Sequence, residues 1–75
     1  METKEYKNGF IVGMADGYTA FWNNNREAYM KVKNGEWKNI EIFNIIPVDY
    51  KEGYMNGFIE SFKEEDSKAK KGGFL

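Results

Sequence analysis

Between Tyr6 and Trp22 the chain places a small residue at every fourth position and a bulky apolar one directly behind it. Gly9, Gly13 and Gly17 form one row; Tyr6, Phe10, Met14, Tyr18 and Trp22 form the row beside it. Residues four apart lie almost above one another on a helix, so the stretch predicts a helix over about 3–23 with a glycine groove flanked by an aromatic ridge. The pattern returns once. Gly53, Gly57 and Ser61 repeat the small row, and Tyr50, Tyr54, Phe58 and Phe62 repeat the ridge, predicting a second helix over about 49–71. Thr3 suits the first N-cap and Asn23-Asn24-Asn25 the first stop, while Asp49-Tyr50-Lys51-Glu52 has capping-box spacing. Glu64/Lys68 and Asp66/Lys70 are correctly ordered i,i+4 pairs. Gly72-Gly73 ends the second helix and leaves a short C-terminal tail.

Between the helices the period changes to two. Ala28, Met30 and Val32 alternate with Tyr29, Lys31 and Lys33 before Asn34-Gly35; Ile40 and Ile42 alternate with Asn39, Glu41 and Phe43 after it. This predicts a β-hairpin over about 27–45, turned by a three-residue loop with Gly35 left-handed and closed by Pro47. The expected fold is therefore α+β, a single α-β-β-α domain over 1–75 with two long glycine-rowed helices packed on a hairpin.

Charge and composition narrow the function classes. Eleven Lys+Arg against 12 Asp+Glu give a formal net charge of −1, so no global field attracts nucleic acid or an anionic membrane. No apolar run approaches the length of a membrane span, and METKEYKNGF is acidic and polar, so no membrane association and a cytoplasmic location are expected. With no Cys and no His, disulfides are excluded and the usual structural-zinc ligands are missing, leaving oligomerisation as the remaining support for so small a core. A bias towards Phe, Tyr, Ile, Asn and Lys, with little Ala, Arg or Pro, fits an AT-rich genome such as that of a low-GC bacterium or its phages.

Glycine inside a helix costs roughly 0.5–1 kcal/mol relative to alanine, so five interior glycines cost about 3–5 kcal/mol unless close packing offsets them. The rows serve either pairing within the chain, a homo-oligomer interface, or a groove for a foreign ligand. The interface residues expected are Gly9, Gly13, Gly17, Gly53 and Gly57 with Tyr6, Phe10, Tyr18, Tyr54 and Phe58. The unit Tyr-x-x-Gly-Phe/Tyr-x-x-Gly over Tyr6–Tyr18 and Tyr50–Phe62 resembles the glycine-every-fourth-residue repeat of small cytosolic adaptor proteins that help pass iron–sulfur clusters to a ribosome-recycling ATPase. That resemblance implies an interaction helix carried by the same five glycines. Short Gly-aromatic helices of this kind also resemble those of small phage proteins.

Catalytic chemistry is not visible. Nucleotide-binding glycine loops are absent, and the Asp16–Glu27 span does not match a calcium loop because Gly17 and apolar residues fall inside it. No catalytic residue, metal site or cofactor is assigned, and no enzyme is expected. One face carries chemistry of another kind: Tyr29, Lys31, Lys33, Trp37, Asn39 and Phe43 interleave bases with aromatics along the odd-numbered side of the hairpin. The expected function is a non-enzymatic protein-interaction module, a homodimer binding a protein partner of unknown identity. It fits a phage or low-GC bacterial accessory or inhibitor protein, acting in the host cytoplasm if phage-encoded. The alternative is a small-ligand, nucleotide or single-stranded nucleic-acid binder using the hairpin face, with stacking beside lysines.

Overall fold

A computed structural model describes residues 3–36 and 46–72 and holds three helices: α1 over Lys4–Trp22, α2 over Arg26–Lys33 and α3 over Val48–Gly72. The described residues contain no strand, which overturns the α+β expectation. The first strand of the expected hairpin is instead α2, so the hairpin expected over 27–45 is not present among the described residues. The second strand falls on 37–45, outside the described residues, as does the tail over 73–75.

The three consecutive asparagines explain why a helix follows α1 so closely. Asn23 is the C-cap of α1 and Asn24 takes a left-handed φ of 57°. The Asn25 amide donates to Ala20 O at 2.8 Å and the Asn24 amide to Phe21 O at 2.9 Å, the paired bonds of a Schellman ending. Asn25 then starts the next helix, its Oδ1 accepting from the Ala28 amide at 3.1 Å. Glu27 and Lys31 pair across one turn at 3.1 Å. Gly35 is left-handed as expected, with φ 75°, but it follows the end of α2 rather than turning a hairpin.

Both long helices begin together. The Thr3 hydroxyl accepts from the Tyr6 amide at 3.1 Å and donates to Asp49 Oδ2 at 2.9 Å. Asp49 therefore lies inside the first turn of α3 and reaches across to α1, instead of capping its own helix as the capping-box spacing predicts.

α1 and α3 run parallel and form the body of the molecule, with α2 laid on α3. The two glycine rows face each other with one constant offset, Gly9 beside Gly53 and Gly13 beside Gly57. A methyl added at Gly9 would overlap the Tyr50 carbonyl oxygen, and one at Gly53 the Tyr6 carbonyl oxygen; Gly13 meets Tyr54 O and Gly57 meets Phe10 O in the same way. The reciprocity makes the pair nearly twofold. It also aims each glycine Cα–H at a facing carbonyl, the weak contact typical of close helix pairs. At the end of the row Gly17 lies against Ser61, whose fully buried hydroxyl donates to Phe58 O at 3.2 Å.

The buried apolar cluster lies beyond that end and consists of Ala20, Val32, Phe58 and Phe62. Phe62, 2% exposed, is its centre. Tyr29 stacks on it at 4.3 Å between ring centroids and Phe21 meets it edge-on at 5.5 Å. Arg26 lies over the ring at 5.7 Å and bonds Asp66 at 3.0 Å. Lys70 reaches the same carboxylate at 3.2 Å, so Lys70 first and Arg26 second hold the Asp66 carboxyl below its usual range. The expected Glu64–Lys68 pair forms at 3.0 Å.

Candidate functional site

The residues singled out in the sequence separate into three groups. Gly9, Gly13, Gly17, Gly53 and Gly57 are buried between α1 and α3, so in this structure the rows are consumed by pairing within one chain. Tyr6, Phe10, Tyr18 and Tyr54 are half-buried along the flanks of that pair, and Phe58 is in the core. The ridge carries two polar links between helices. Asn56 Nδ2 donates to the Tyr6 hydroxyl at 2.8 Å, and the Tyr54 hydroxyl donates to Asp16 Oδ2 at 2.5 Å. In each, a tyrosine reaches the residue six positions ahead in the equivalent register of the other helix. The repeat mates of these partners are Val12 opposite Tyr50 and Glu60 opposite Phe10, which have no matching groups. The two links therefore break the near-symmetry and help fix which row pairs with which. Burial first, then the bond it donates to Asp16, pushes the Tyr54 phenol well above its ordinary value of 10.0.

The basic-aromatic face does not form among the residues described. On a helix, Tyr29 and Lys33 share one side and Lys31 lies on another. The Tyr29 ring is stacked on Phe62, Lys33 Nζ lies 6.0 Å from the Tyr29 ring centroid, and Lys31 pairs with Glu27. No open stacking platform remains at Tyr29. Trp37, Asn39 and Phe43 lie outside the described residues, as do Ile40 and Ile42 of the opposite face.

What the sequence reading missed is the outward side of α1. Ile11 is 66% exposed and Trp22 61%, and Val12 and Ala15 are exposed between them. Thr19 lies in the same strip, but its hydroxyl donates to Ala15 O at 3.0 Å, leaving its methyl outward. A shallow depression of about 280 Å3 lined by Tyr6, Lys7, Phe10 and Ile11 adjoins this strip. The equivalent positions of α3 are different: Met55 and Ile59, the repeat mates of Ile11 and Ala15, are half-buried against the apolar cluster, and Asn56, the mate of Val12, is exposed and polar. The available signal was that Ile11 and Val12 belong to neither the glycine row nor the ridge, so pairing with α3 could not bury them.

Among the described residues, no cluster of three or more acidic side chains could hold a metal ion, and no helix is long and apolar enough to cross a membrane. Comparison with protein-family models, with curated proteins and with solved structures finds no match.

Proposed function

We propose that this chain is a small, non-enzymatic protein-interaction module that offers the outward face of α1 to a protein partner. The observation carrying this reading is the asymmetry of the helix pair: Ile11, Val12 and Ala15 of α1 are exposed, with Trp22 further along the same strip, whereas their repeat mates on α3 are the half-buried Met55 and Ile59 and the polar Asn56. An apolar helix face in water costs roughly 25 cal/mol per Å2 relative to burial, so a partner that covers it gains that amount. The Gly-x-x-x rows that resemble the adaptor repeat serve here as the scaffold that holds the face out.

A non-enzymatic role is supported by how the aspartates are used. Asp16 accepts from Tyr54, Asp49 from Thr3, and Asp66 binds Arg26 and Lys70, so each is engaged in holding elements together. The reading extends to an accessory or inhibitor protein of a phage or low-GC bacterium working in the cytoplasm, which the AT-rich-type composition and small size support. The test is a paired capture, with wild type and Ile11→Asp as bait, from lysate of such a host supplemented with a differently tagged wild-type chain. Loss of specific proteins, or of the tagged chain, from the variant supports the reading; identical capture of both kinds by the two baits contradicts it.

A further inference from the structure

We propose that the partner covering the outward face of α1 is a second copy of this chain, with the two α1 helices packed antiparallel about a twofold axis. The inference rests on that face being the interaction surface. Its exposed positions Lys4, Asn8, Ile11, Ala15, Thr19 and Trp22 are spaced three or four residues apart, forming a straight seam that one further helix can cover.

The seam is complementary to itself only when reversed. An antiparallel copy sets Ile11 opposite the partner's Ala15, large against small, at both ends of the axis. The same register sets Lys4 opposite the partner's Trp22, an exposed indole onto which an ammonium can stack. The dipole agrees. α1 has Lys4 in its first turn and no basic residue among those of its last. Antiparallel packing brings the partner's Lys4 to that end, while parallel packing would crowd the lysines together. A net charge of −1 puts little repulsion between copies. With no cysteine or histidine for staples, a chain of 75 residues has the profile of one completed by association.

Sedimentation equilibrium of the full chain over a wide concentration range tests the proposal, together with acrylamide quenching of Trp22 in a Trp37→Phe background. The expected result is a dimer whose Trp22 is shielded. Ile11→Asp, at an exposed position, should keep the helical circular dichroism and raise the dimer Kd at least about a hundredfold. Lys4→Glu should raise it about threefold. A dimer that Ile11→Asp leaves equally tight overturns the proposal. So does a monomer with freely quenched Trp22, but that result leaves the face open to another protein and the proposed function standing. A monomer with shielded Trp22 means the chain covers the face itself, and overturns both.

Discussion

α1 and α3 carry the same inner surface and differ in how far their outer apolar residues are covered. Inside, Gly9 and Gly53 each lie against the other helix's backbone, as do Gly13 and Gly57, and the ridge tyrosines flank both. Outside, Ile11, Val12 and Ala15 on α1 are exposed, while their repeat mates on α3 are Met55 and Ile59, half-buried against the apolar cluster, and the polar Asn56. Because the inner rows are interchangeable, pairing cannot explain the outer difference. The repeated part of the sequence builds the scaffold, and the unrepeated part is where function is to be sought. The repeat also diverges at its end, where Gly17 faces Ser61 and half-buried Tyr18 has the core residue Phe62 as its mate.

The sharpest break in this comparison is at Tyr18 and Phe62. Phe62→Ala removes the ring that Tyr29, Phe21 and Arg26 all contact, and should cost about 3–5 kcal/mol by urea unfolding. Tyr18→Ala, at the half-buried equivalent position, should cost less, about 1–2 kcal/mol. Equal losses would mean that the core is spread evenly over both helices.

The polar links are smaller. Tyr54→Phe removes the bond to Asp16 and should cost about 1 kcal/mol at neutral pH. The Tyr54 phenol is raised in the folded chain, so its neutral form is favoured by folding. Its contribution is complete below the ordinary value of 10.0 and declines as pH rises above it, towards the folded value. Unfolding curves between neutral pH and pH 11 should therefore fall more steeply for wild type than for Tyr54→Phe. Parallel curves would place the tyrosine in water. Smallest of all, Ile11→Lys should change monomer stability by no more than about 0.5 kcal/mol, measured at a concentration where association is negligible.

Much of the helix pair was legible. A small residue every fourth position has few physical uses besides letting another backbone approach, and two copies of the row imply each other as partners. Helix ends marked by Thr3 and the asparagines, and the pairs Glu64–Lys68 and Asp66–Lys70, follow from local rules that tertiary structure did not override.

α2 was not legible in the same way, because an eight-residue stretch satisfies two periods at once. Ala28, Met30 and Val32 read as a strand face only if Tyr29 is counted as outward. In the fold Tyr29 packs on Phe62 while Met30 is exposed, so the inward set is Ala28, Tyr29 and Val32, a helical spacing. A tyrosine fits either side of that decision, since its ring is apolar and its hydroxyl is not. Asn34-Gly35 is equally two-valued, because left-handed glycine closes helices as readily as it turns hairpins. The undecided signals were Asn25 as a second cap and Glu27–Lys31 as a helical pair. The outward face of α1 was not legible for another reason: the glycine row and ridge specify only the side that meets α3, and leave open what covers the side opposite.

The central claim is that the glycines exist for backbone contact between α1 and α3, and Gly13→Ala tests it by the sign of one number. In a helix free of neighbours this substitution stabilises by about 0.5–1 kcal/mol through propensity. Here the added methyl would overlap the Tyr54 carbonyl oxygen and lie 2.9 Å from Tyr54 Cα. Thermal and urea unfolding should therefore show a loss of about 1–3 kcal/mol. A gain in stability at Gly13 would mean that the rows do not meet, and the account of the fold would be wrong.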